Sequence, residues 1–233
     1  MKPGLRHILP WLVLAAACCV PAQRAGVERP VSEPAPVRVR LLFAGDVMQH
    51  FPQVTAARCG DGFDYRGVFA YLRRRFHAAD LVVVNLETTL TRTDRYTGYP
   101  CFRSPVALAD ALRDAGVDVA VLANNHCCDG GAAGVHTTVA ELGRCGILHT
   151  GVFTDSLDRA ANNPLWVERY GVRFALLNYT YGTNGIPVDG FEYAVNIYNH
   201  DYMTTLVDVN YDMLDADMAA ARALGTDIIA VSV

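Results

Sequence analysis

Val117-Asp118-Val119-Ala120-Val121-Leu122 runs directly into the polar cluster Ala123-Asn124-Asn125-His126-Cys127-Cys128-Asp129-Gly130-Gly131. The first six residues are mostly apolar and β-branched, which predicts a buried strand; the cluster then falls where that strand ends and the chain turns toward a helix. In α/β proteins, ligands and catalytic groups gather at that end of the strands. The same arrangement occurs twice earlier: Val39-Arg40-Leu41-Leu42-Phe43-Ala44 leads into Gly45-Asp46, and Leu81-Val82-Val83-Val84 leads into Asn85-Leu86-Glu87. Three strands would thus deliver Asp46, Asn85, Glu87, Asn125 and His126 to one edge of one sheet. Oxygen and imidazole donors together suit a divalent ion of the Mn, Fe or Zn kind, so a metal site is the leading expectation.

Strand and helix alternate around these segments. A strand is predicted over 37–44, a helix over 65–76, a strand over 81–85, and a helix that starts at Pro105 and ends near Ala115-Gly116. A strand over 117–123 and a helix over 133–144 stopped by Gly146 complete a pattern that predicts a mostly parallel sheet. Beyond Gly151 the pattern changes: 165–170 and 173–179, separated by Gly171-Val172, read as a hairpin in a second sheet. A helix over 208–224 and a last strand over 227–233 follow. The sequence stops at the end of that strand, where earlier strands carry their polar residues, and this predicts a C-terminally truncated domain.

With 233 residues, 52% of them hydrophobic and 19% charged, the chain is globular and large enough for a sizeable core. The net charge of −4 and the single basic triplet Arg73-Arg74-Arg75 argue against a nucleic-acid partner. Residues 1–25 combine Lys2 and Arg6, an apolar stretch from Ile8 to Val20 and small residues at Ala22 and Ala25, the layout of a secretory signal peptide. Ala15-Ala16-Ala17-Cys18 approaches a lipoprotein signal, although Leu14 lies one position too far upstream. The expectation is an exported protein facing the periplasm or the exterior, either cleaved or lipid-anchored at Cys18 or Cys19; the apolar run is short for a membrane span. Residues 26–36, with Pro30, Pro34 and Pro36, read as a tether to a domain at 37–233. Cys59 and Cys101 both lie in Gly- and Pro-containing loops and form a candidate disulfide. Cys127 and Cys128, without CxxC spacing, read as neighbours of the polar cluster rather than as ligands.

Each candidate residue has a plain structural reading beside the chemical one. Asp46 follows a permissive glycine and is either a metal ligand or a turn aspartate. Asn85 and Glu87 flank Leu86, so in an extended segment both point to one side, as ligands or as partners of loop amides. His126 can ligate a metal or transfer a proton, and the Asn125 amide oxygen can coordinate beside it. Asp129 before Gly130-Gly131 either caps the next helix or sits with the reacting groups. His50, four residues after Asp46, is a candidate supporting residue or a surface histidine.

Taken together, Gly45-Asp46-Val47-Met48, Asn85-Leu86-Glu87-Thr88, Ala123-Asn124-Asn125-His126 with Asp129-Gly130, Thr137-Thr138 through Gly146-Ile147 and Gly151, and Leu177-Asn178-Tyr179-Thr180-Tyr181-Gly182-Thr183-Asn184-Gly185 resemble the bacterial capsule-synthesis CapA, or poly-gamma-glutamate biosynthesis, family. The resemblance runs from about Val37 to Val233. It is similar in turn to calcineurin-like metallophosphoesterases, which implies a four-layer α/β/β/α sandwich and two divalent metal ions. Carried over, it implies Asp46, Asn85, Glu87 and Asn125 at the metals, His126 and Asp129 as catalytic groups, and His50 and Asn184 supporting them. Two departures stand out: Met48 occupies a position where the related phosphoesterases carry histidine, and the His-Trp-Gly segment that follows the family's last strand lies beyond Val233.

The resemblance implies an exported metallohydrolase that uses metal-activated water in the metabolism of a capsule or poly-gamma-glutamate type polymer. Its partners would be an acidic cell-envelope polymer or its precursor and membrane-bound synthesis machinery. The alternative is a polymer-binding or assembly component that keeps the fold without turnover.

Overall fold

The computed structural model of the chain describes residues 36–233; the leader expected at 1–25 and all of the expected tether except Pro36 lie outside the described residues. The chain order is β1 (Leu41–Val47), α1 (Phe51–Ala56), a small hairpin of β2 (Arg58–Cys59) and β3 (Gly62–Phe63), and α2 (Arg73–Phe76). There follow β4 (Leu81–Leu86), the short strands β5 (Thr89–Thr91) and β6 (Arg103–Pro105), α3 (Ala107–Ala115), β7 (Val119–Val121), α4 (Gly131–Arg144) and β8 (Leu148–Thr150). The last part holds α5 (Ser156–Asn162), β9 (Leu165–Arg169), β10 (Val172–Asn178), α6 (Tyr211–Ala223) and β11 (Ile228–Ser232). Strands β1-β4-β7-β8 form a four-stranded sheet paired in parallel throughout, and β11-β10-β9 form a second sheet in which β10 is antiparallel to β9 and parallel to β11.

The two-residue period of β4 and β7 builds the layers. Val82, Val84 and Leu86, with Ala120 and Leu122, join one apolar cluster with Leu108 and Leu112 of α3 and Val135, Val139 and Leu142 of α4. The intervening residues Leu81, Val83, Val119 and Val121 point the other way and pack with Leu165, Val167 and Leu176 of the second sheet. On that sheet's outer face Ala175 and Leu177 meet Ala221 of α6, with Met213, Leu214 and Met218 beside them. The result is the expected α/β/β/α sandwich, each buried aliphatic side chain contributing about 1.5–3 kcal/mol by leaving water.

Several local expectations are corrected. The first strand starts at Leu41 and extends to Val47, and its register slips between Ala44 and Asp46, so Gly45 is the extra residue of a bulge. The slip pairs Asp46 with Asn85 and brings it to the Asn85 side of the sheet, where strict alternation would have turned it away. The helix expected over 65–76 is a 3-10 turn at Arg66–Phe69 followed by the single turn α2. Gly67 weakens a helix there, and Val68 and Leu72 stay largely exposed, so little burial offsets that cost. Pro105 pairs with Thr91 as the end of β6, and the helix begins at Ala107. The hairpin turn is Tyr170-Gly171, both in the left-handed region, rather than Gly171-Val172. Cys59 and Cys101 are exposed and free.

The two sheets are clasped at their site end by one side chain. Asn178, at the end of β10, accepts from the Ala123 N–H at 2.6 Å and donates to the Ala123 carbonyl at 3.2 Å. Gly151 leaves room for this amide: a Cβ there would lie 2.1 Å from Asn178 Oδ1, and its φ is +89°. Gly151→Ala is therefore expected to destabilise the chain by at least about 2 kcal/mol in urea unfolding, from backbone strain and the displaced clasp together.

Candidate active site

β1 and the residue just past β4 supply two acids, Asp46 and Glu87, to a cavity of about 360 Å³ that is also lined by Asn124, Asn125 and Asn178. Asn85 joins the acids: its Nδ2 donates to Asp46 Oδ1 at 2.9 Å and to Glu87 Oε2 at 3.2 Å. Its own oxygen accepts from Asn124 Nδ2 at 3.0 Å. Asn85 thus stands at the expected place but offers the carboxylates a donor, and its oxygen is already engaged. Glu87 has its pKa raised, first by burial and then by the negative charge of Asp46 beside it. Two acids held this close favour either a shared proton or a cation between them.

Asn124 ties the third strand end to the second, since its Nδ2 also donates to the carbonyls of Leu86 at 3.0 Å and Leu122 at 3.1 Å. Its Oδ1 receives the His126 N–H at 3.0 Å, which starts the turn that aims the imidazole. His126 Nδ1 lies 2.8 Å from Asp129 Oδ2, and the same oxygen receives the Phe102 N–H. Burial raises the Asp129 pKa, and the Phe102 amide and His126 act against that shift. Arg103 grips the main-chain carbonyl of Asp129 through Nε at 3.1 Å and Nη2 at 3.0 Å. Asp129 therefore orients His126 and does not cap α4, whose N-cap is Gly130.

The remaining expectations sort by position. Asn125 lines the cavity and donates through Nδ2 to Asn184 Oδ1 at 3.2 Å, while Asn184 Nδ2 sits 3.4 Å from both ring nitrogens of His126. His50 reaches His126 only through Phe102, whose ring meets both imidazoles edge-on at centroid distances of 5.0 and 4.7 Å. Its backbone N–H is taken by Gln53 at the start of α1. Cys127 and Cys128 are buried with their sulfurs 3.8 Å apart, and the contact with Cys128 together with burial drives the Cys127 pKa far up, which keeps that thiol neutral. Asn178, Asn124 and Phe102 are the contributors that motif reading passed over. Asn178 carried the same signal as the others, a polar residue closing an apolar run.

Among the described residues no group of three or more His, Cys, Asp or Glu side chains is placed to hold a metal ion. With the oxygens of Asn85, Asn124 and Asn178 already engaged, the donors left at the cavity are two carboxylates and the Asn125 amide oxygen, an oxygen set suited to a hard cation more than to zinc. The double-sheet sandwich, with acids and amides at its strand ends, is consistent with the metallophosphatase-like fold of the family whose model the chain matches. A family model described as bacterial capsule synthesis protein PGA_cap matches residues 40–233. The chain belongs to that family, and its role lies in capsule synthesis. No curated protein matches it.

The raised Glu87 pKa has a stability consequence of definite sign. The folded state holds the Glu87 proton more tightly than the unfolded chain, so ionisation opposes folding above the ordinary value of 4.5, and stability is lost as pH rises through the folded value. Glu87→Gln, measured in a chelator, is expected to raise the melting temperature at pH 7 and to leave it unchanged well below pH 4.5.

Proposed function

We propose that the chain is an exported, metal-dependent hydrolase that acts on an acidic cell-envelope polymer or its precursor. The observation that carries this reading is the Asp46 and Glu87 pair, bridged by Asn85 at a cavity, with the Asp129-oriented His126 close by through Asn125 and Asn184. Asp46 and Glu87 would hold the cation, and Asn125, whose nitrogen is turned to Asn184, would present its oxygen to it. A bound divalent ion would supply a lowered pKa for water and an electrophile for the attacked group. One oxygen-bound divalent ion is proposed at this pair, where the resemblance implies two Mn, Fe or Zn ions.

The residues do the rest. The Asp129 carboxylate holds the His126 ring through Nδ1 and so fixes Nε2 as the nitrogen that would exchange a proton with the leaving group. Asn85 holds the two acids apart at fixed orientation. The charged start and apolar stretch within residues 1–25 support export, with a lipid at Cys18 or Cys19 as the anchored form, next to membrane-bound synthesis machinery. Among the described residues no helix is long and apolar enough to cross a membrane.

A second reading, a polymer-binding or assembly component without turnover, draws on the sparse acid and histidine set at the cavity. The two readings separate experimentally. As a hydrolase, the chain is expected to gain stability with Mn, about 2.7 kcal/mol at a hundred times the dissociation constant, and to lose that gain in Asp46→Asn. His126→Ala should keep the Mn-dependent shift in melting temperature and lower the rate of polymer cleavage by about 10²- to 10⁴-fold. Polymer binding that survives with no cleavage in the wild type would establish the second reading instead.

A further inference from the structure

A second cavity, of about 530 Å³, opens between β5 with the loop after it and the start of α4. Its lining includes Arg92, Arg95 and Arg103, the threonines Thr91, Thr93 and Thr137, and one acid, Asp94. The three guanidiniums are not equally committed. Arg92 pairs with the buried Glu141 behind it. Arg103 spends Nε and Nη2 on the neutral carbonyl of Asp129, and the Asp129 carboxylate nearby feels its charge without pairing with it. Arg95 is exposed and makes no ion pair among the described residues. A concentration of positive charge in a concave site runs against the chain's overall charge of −4, which gives acidic ligands no general attraction.

We propose that this cavity is a binding site for an extended ligand bearing several oxyanions, read by Arg95 and Arg103 with help from the threonine hydroxyls. Its volume is that of a pocket for a ligand of many heavy atoms, well beyond one small ion. Guanidinium groups recognise carboxylate and phosphate oxygens through charge-assisted hydrogen bonds. Arg103 makes the site more than a neighbour of the first cavity: it lines this one and also holds the Asp129 loop that orients His126. An acidic chain seated here would lie beside the loop that carries the proposed proton donor. Calling that chain the substrate rests on the hydrolase reading; the oxyanion site itself does not.

The test is calorimetric titration of the whole chain in EDTA, which removes any metal contribution, with an oligomer of glutamate in one arm and inorganic phosphate in the other. The oligomer is expected to bind, with an affinity that falls as salt is added. Arg95→Glu should weaken it by at least about tenfold. Arg74→Glu, an equal charge change on α2 outside both cavities, and Asp46→Asn should leave it unchanged. Melting curves confirm that the exposed substitutions leave the fold intact. Absence of oligomer binding, or equal losses from Arg95→Glu and Arg74→Glu, would overturn the site; phosphate binding as tightly as the oligomer would overturn the extended ligand. A chain that binds the oligomer through Arg95 yet shows no metal-dependent cleavage keeps this site and loses the hydrolase reading.

Discussion

The geometry of the whole site end depends on one buried amide, Asn178, that bonds both polar groups of Ala123 across the gap between the two sheets. Apolar packing of Leu81, Val83, Val119 and Val121 against Leu165, Val167 and Leu176 holds the sheets together but does not set how their ends align. The clasp supplies that alignment. Its two hydrogen bonds are worth about 1 kcal/mol each in net terms, yet losing one partner would leave buried groups unpaired at a higher cost. Because the clasp sits where β7 gives way to Asn124, Asn125 and His126, it brings the Asn184 segment beyond β10 against the loop that carries the imidazole.

A second constraint acts within the first sheet. The Gly45 bulge brings Asp46 onto the same side as Asn85 and Glu87, and the Asn85 amide then spans both carboxylates. Burial and mutual repulsion make the pair costly while both acids are charged, as the raised Glu87 pKa records. The site is thus built to be relieved by positive charge. Methionine at position 48 adds no imidazole beside these two acids.

Much of this was legible in the sequence because it depends on local pattern. Apolar runs closed by Asp46, by Asn85 and Glu87, and by the 124–126 cluster announced strand ends, and the alternation of strands with helices along the chain announced a mostly parallel sheet. What stayed hidden depends on partners distant in the chain. Nothing local says that Gly45 is an extra residue, that Asn85 will turn its nitrogen to the acids, or that Asp129 will serve His126 rather than cap a helix. Pro105 was misread because its pairing with Thr91 lies fourteen residues away, and the break in the 65–76 segment follows from how little of it the core buries. Motif resemblance supplied the family, which the match over residues 40–233 bears out.

The most direct measurement of the central claim is anomalous X-ray scattering from crystals of the chain grown with manganese. The account predicts a peak between the carboxylates of Asp46 and Glu87, within bonding distance of both, and no such peak in crystals of Asp46→Asn. Ordered carboxylates with no manganese between them, or a peak confined to another part of the molecule, would contradict it.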